Sequence, residues 1–181
     1  MKSIWKPVGR VVLAAALMIL TACDAADGPM TPVDQTGSPQ MASGIQLVPV
    51  RQGRSLEPAG TLLRRVSALV GAVLKTDDVR LAIKPLSMSY SATITIEPMN
   101  DGSVSFRFGP GGLRFNPAAR LTISADKANL DGIDPGDLKI AGASDSADDW
   151  QIIEESIYDP LTNSVTGPVS HFSRYALCVD R

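Results

Sequence analysis

The chain has 181 residues, with 17 Lys and Arg against 19 Asp and Glu and a formal net charge of −2. That balance offers no basic footprint for a nucleic-acid partner, which clustered positive charge must supply to displace counterions from phosphate. A single histidine and two cysteines are too few for a Cys/His zinc site within one chain, and neither a metal nor another cofactor is expected.

Lys2, Lys6 and Arg10 precede the apolar run Val11 to Leu20, and Leu20-Thr21-Ala22-Cys23 closes it. A basic start, a short apolar stretch and small residues before a cut form the layout of a secretory signal. The stretch falls short of the about 20 apolar residues that a bilayer span requires. The closing run resembles the lipobox of bacterial lipoproteins. The resemblance implies that residues 1–22 are removed and that Cys23 is lipidated on sulfur with a palmitate-type chain, becoming the mature N-terminus. The partner so implied is the lipid bilayer, reached through acylated Cys23. Asp24 resembles the inner-membrane retention signal of some Gram-negative lipoproteins, which would hold the domain in the cell envelope, at the periplasmic face of the inner membrane. Removing residues 1–22 leaves 14 Lys and Arg against 19 acids, a net charge of −5, so attachment would rest on acyl chains and not on polybasic attraction. With Cys23 lipidated, Cys178 lacks an intramolecular partner, and no disulfide is expected.

From Asp24 to Gly44 the chain is rich in Pro, Gly, Ser and Asp and poor in large apolar residues. It reads as a tether, because it buries too little surface to offset the entropy of ordering. Ile45 to Arg54 reads as linker or as an edge segment. The expected organisation is therefore a signal peptide over 1–22, a lipid-anchored linker over 23–60 and a folded domain over 61–181.

Thr61 to Leu74 places Leu62, Leu63, Val66, Leu69, Val70, Val73 and Leu74 at helical spacing behind a possible Thr61 cap. Gly71 and the β-branched Val66, Val70 and Val73 oppose a helix. Val79 to Ile83 and Ala92 to Ile96 alternate as strands, each closed by a proline. Asn100-Asp101-Gly102 signals a turn into Val104 to Phe108, and Gly109-Pro110-Gly111-Gly112 breaks that strand. Further strands are predicted over Ala119 to Ile123, Asp137 to Ala141, Trp150 to Ile157, and Val165 to Val179 with an interruption. Seven or more short strands punctuated by Gly, Pro, Asp and Asn predict an all-β fold, an antiparallel β-sandwich.

Phe108-Gly109-Pro110-Gly111-Gly112-Leu113-Arg114-Phe115-Asn116-Pro117, running on to Ile123, resembles the Zu-five domain of zonula occludens scaffolds, ankyrins and netrin receptors. Thr162-Asn163-Ser164-Val165-Thr166 and Val169 to Leu177 are similar to that family's closing segment. Val79 to Met88 and Ala92 to Ile96 resemble its early strand, proline corner and next strand, although Lys84-Pro85-Leu86-Ser87-Met88 departs from the usual Pro, small residues and Gly. The resemblance spans about residues 66–179 and implies a β-sandwich used for protein interaction or intramolecular docking, with no universal active site. It also implies a strand at Val70 to Leu74, against the helical spacing there.

His171-Phe172-Ser173 is the candidate for chemistry. In some members of the resembled family, His-Phe-Ser here implies self-cleavage between Phe172 and Ser173. The Ser173 hydroxyl would attack the Phe172 carbonyl, His171 would move the proton, and water would hydrolyse the ester. Residues two apart in a strand share a face, which would bring His171 to Ser173. The preferred reading is a corner, with Phe172 in the core and His171 and Ser173 satisfying backbone groups. Cys178, in an apolar run, reads as a small buried hydrophobe. Asp126, Asp131, Asp134 and Asp137 lack the ligand alternation of an EF-hand and read as a solvated loop. Asp145, Asp148 and Asp149 read as a hairpin turn and Trp150 as a packing residue. Gly109 to Gly112 lacks the Lys-Ser/Thr of a phosphate loop.

The expected function is that of an envelope lipoprotein carrying a non-catalytic module for a protein or envelope-component partner. The alternatives are a self-cleaving domain and a purely structural envelope lipoprotein.

Overall fold

The computed structural model describes residues 44–56 and 61–181. The leader, Cys23, Asp24 and most of the expected tether lie outside the described residues. The strands are β1 (Ile45–Leu47), β2 (Leu62–Val66), β3 (Ala72–Lys75), β4 (Val79–Ile83), β5 (Ala92–Pro98), β6 (Ser105–Gly109), β7 (Arg114–Ser124), β8 (Lys139–Ala143), β9 (Gln151–Ile153), β10 (Ile157–Asp159), β11 (Ser164–His171) and β12 (Arg174–Asp180).

All pairings are antiparallel, in two sheets. The first runs β2-β5-β6-β12-β8-β9, and the second runs β10-β11-β7-β4-β3. β1 lies beside the C-terminal half of β12, on the edge that β6 shares, because Leu177 accepts from Val48 N–H and donates to the Val104 carbonyl.

The period-two pattern of the sequence becomes the inner and outer faces of these sheets. Ile94, Ile96, Phe106, Phe108 and Leu177 of the first sheet meet Leu74, Leu81, Leu121, Ile123 and Val165 of the second in one core. Each large side chain withdrawn from water there contributes about 1.5–3 kcal/mol against the entropy of ordering. The sandwich expected from the strand pattern is the fold observed.

Three local outcomes refine the reading. Thr61 to Leu74 is strand, turn and strand: Gly71 has φ +69°, and a Cβ on it would collide with the Ile83 carbonyl, so the apolar spacing there serves two sheets. Ile45 to Arg54 is an edge segment, with Ile45–Leu47 paired to Cys178–Asp180 and Val48 fully buried; the ordered domain thus includes residues that the expected boundary at 61 assigned to linker. Trp150 to Ile157 divides into β9 and β10, in different sheets. Ser156 makes the turn by donating its hydroxyl to the Ile153 carbonyl at 2.6 Å and accepting from Ile140 N–H at 3.2 Å.

Candidate functional site

The interruption in the last long strand run is the crossing from one sheet to the other. β11 ends at His171 after a register shift between Val169 and His171, and β12 starts at Arg174 in the opposite sheet. Phe172, between them, points into the core, its ring centroid 4.9 Å from that of Phe115 and 5.8 Å from that of Phe108. Its N–H donates to the Leu113 carbonyl at 2.8 Å, and its carbonyl accepts from Gly112 N–H at 3.3 Å. Ser173 is buried, and its hydroxyl donates to the Ala143 carbonyl of β8.

His171 is exposed, with Nδ1 3.3 Å from the Ser170 hydroxyl. No hydrogen bond joins it to Ser173. The two-residue rule that would have placed them on one face needs a continuous strand, and the chain leaves the strand at Phe172. The His171 carbonyl instead accepts from the Tyr175 hydroxyl at 2.6 Å, a long-reach tie of the kind that fixes corners in β-sandwiches. Burial pushes the Tyr175 phenol well above its usual pKa, which keeps it a donor. The arrangement clamps two sheets together, and the Ser173 hydroxyl is directed at Ala143.

Arg174 is a residue that sequence reading missed. It is buried, and its Nε donates to the Ser144 carbonyl at 2.9 Å and one guanidinium nitrogen to Asp148 Oδ1 at 3.1 Å. The other nitrogen donates to the Ala147 carbonyl. The guanidinium carbon lies 5.3 Å from the Trp150 ring centroid, within cation–π reach. With an Arg107–Asp145 contact of 3.5 Å, these bonds lay residues 144–149 over the outer face of the first sheet. Beneath sit Ala141, Ala143, Ala176 and Cys178, packed with Trp150. Burial pushes the Cys178 thiol up to about 12, with the Asp180 carboxylate adding to the rise, so it is an unreactive thiol at neutral pH. The unbroken apolar run Tyr175 to Val179 is the sequence signal that β12 is buried on both faces.

The acidic turns hold their own backbone. Asp134 accepts from Gly136 N–H at 2.8 Å, starting a single 3-10 turn at Pro135–Asp137, and Asp126 accepts from the Asn163 amide at 2.7 Å. Among the described residues no group of three His, Cys, Asp or Glu is placed to hold a metal ion. Gly109 to Gly112 is the β6–β7 turn.

At one end of the sandwich the turn Ser67 to Gly71 and the corner Lys84 to Ser91 are stitched together. Leu86 N–H donates to the Ala68 carbonyl at 2.7 Å, and Ala68 N–H donates to the Ser91 hydroxyl at 3.0 Å. Leu69, Val70, Leu86 and Tyr90 project from this tip, with relative exposures of 73%, 72%, 69% and 56%. Leu86 holds φ +62°, a left-handed conformation unfavourable to a branched side chain. The tip is remote from Gly44. Val66 pairs with Ala92, at the end of the first sheet where β12 begins, whereas Ile45 pairs with Asp180, where β12 ends.

No protein-family model matches the chain, and no curated protein matches it in sequence.

Proposed function

We propose that the chain is a lipid-anchored envelope protein whose β-sandwich is a non-catalytic interaction module. The observation that carries the module is the tip formed by Leu69, Val70, Leu86 and Tyr90. Contiguous exposed apolar side chains on a soluble domain mark a surface that meets a partner, and the positive φ of Leu86 is a local cost that holds one of them outward. The Zu-five resemblance supports the same role. The anchor is supported by the leader and by Leu20-Thr21-Ala22-Cys23.

A Ser173 hydroxyl engaged with Ala143, and a His171 ring turned to Ser170, support a corner in place of a cleavage centre.

Metabolic labelling with a clickable palmitate analogue, followed by membrane fractionation, tests the anchor. The wild-type chain takes the label and sediments with membranes, while Cys23→Ser loses both properties. An unlabelled chain in the soluble fraction with its leader attached overturns the reading. Turnover of a low-molecular-weight substrate by the purified chain would overturn its non-catalytic half.

A further inference from the structure

Among the described residues the sandwich is open along two sides, and they carry opposite charge. On one side the outermost strands are β2 and β3, joined by the turn Ser67 to Gly71; on the other they are β9 and β10, joined by Glu154 to Ser156. The β2/β3 side exposes Arg64, Arg65 and Lys75 beside Leu63 and Val73, whose relative exposures are 69% and 51%. The β9/β10 side exposes Glu154 and Glu155 beside Ile157 and Leu161, at 71% and 94%. Lys139, on β8 beside β9, donates to the carbonyls of Glu154 and Ser156 at 3.3 and 3.0 Å and sets one positive charge against the carboxylates of Glu154, Glu155 and Asp159. On the basic side Asp78 is paired with Lys127 at 2.9 Å, and Asp77 in the β3–β4 turn is exposed, so Arg64, Arg65 and Lys75 stand against one exposed carboxylate.

The polarity follows the chain. Residues 61–125 hold eight Lys or Arg against four acids, and residues 126–181 hold four against eleven. The topology then sends the two halves of the sequence to opposite flanks.

We propose that this domain binds a second copy of itself head to tail, the basic β2/β3 side of one copy against the acidic β9/β10 side of the next. Outermost strands retain unpaired backbone donors and acceptors and so invite another strand. Like charges oppose β2/β3 meeting β2/β3, or β9/β10 meeting β9/β10, which removes the symmetric dimers. Opposite charges, each with apolar neighbours, favour the unlike pairing. A contact between two different surfaces leaves one of each exposed, so it propagates into a chain of copies unless the rotation closes a ring. The pairing uses the flanks and not the tip of Leu69, Val70, Leu86 and Tyr90, so it goes beyond the reading above and fails separately from it: palmitate labelling reports the anchor and sedimentation the pairing.

The experiment is sedimentation velocity of the full chain in nonionic detergent across a concentration series. The wild type gains mass with concentration at low salt and loses the gain at about 1 M salt, where charges are screened within ~3 Å. Arg64→Glu/Arg65→Glu and Glu154→Arg/Glu155→Arg each remain single copies in the same micelles. An equimolar mixture of the two associates again, because each reversed side now faces an opposite charge. A wild type that stays a single copy at low salt overturns the proposal, as does a mixture no heavier than either variant alone. Association that strengthens with salt does so too. The salt series on the wild type needs no variant to fold.

Discussion

The Tyr175 hydroxyl donates to the His171 carbonyl across 2.6 Å, tying the second residue of β12 in one sheet to the last residue of β11 in the other. The bond bridges the crossing at which the chain changes sheet, and Tyr175 also meets Phe108 edge-on at 5.6 Å between ring centroids. Tyr175→Phe keeps the ring and removes the donor. The expected loss is about 1 kcal/mol of unfolding free energy, read from urea denaturation midpoints at an unchanged slope.

Phe172 and Ser173 separate packing from chemistry. Phe172→Ala leaves a cavity among Phe108, Phe115 and their neighbours and should cost about 3–5 kcal/mol. Ser173→Ala removes the donor to Ala143 and should cost about 1–3 kcal/mol by leaving a buried carbonyl short of a partner. Intact-mass spectrometry of wild type and Ser173→Ala should show both chains unbroken at that peptide bond. A wild type that divides between Phe172 and Ser173 while the variant stays whole would establish self-cleavage.

Arg174→Met should loosen residues 144–149 while leaving the core in place. Asp148 has a side chain 77% exposed, so the ion pair itself is worth little. The bonds to the Ser144 and Ala147 carbonyls matter more, and their loss with the Trp150 contact should amount to about 1–3 kcal/mol. Limited proteolysis should find a new cut within 144–149, together with a change in Trp fluorescence.

Cys178 predicts an alkaline weakness. Its folded pKa of about 12 stands above the ordinary 9.0, so between those values the unfolded chain has released a proton that the folded chain retains. The thiol's contribution is complete below about pH 9 and is lost as pH rises through about 12. Tyr175, also raised by burial, adds a fall that starts at higher pH. Cys178→Ala should therefore flatten the decline of stability just above pH 9, measured by denaturant midpoints against pH, whatever its effect at neutrality. An unchanged slope would contradict the assignment.

The strands were legible because alternation is a local property: Val79 to Ile83 and Ala92 to Ile96 state their buried face within five residues. The turn at Gly71 was less so, because apolar residues serving two successive strands in different sheets imitate a helical stripe. The corner at Phe172 was legible as a corner, but the expected approach of His171 to Ser173 assumed one continuous strand. The Arg174 latch was hidden because its partners, Ser144 to Trp150, lie 24 to 30 positions earlier in sequence. Opposite charge on the two open sides was equally hidden, since composition reports a sum and topology decides where its parts go.

β12 is the final strand in chain order, yet it occupies the middle of the first sheet, between β6 and β8. Until it is in place, β2-β5-β6 and β8-β9 are two fragments with no shared backbone ladder. The first sheet therefore closes only when residues 174–180 are in place, whatever has formed before them.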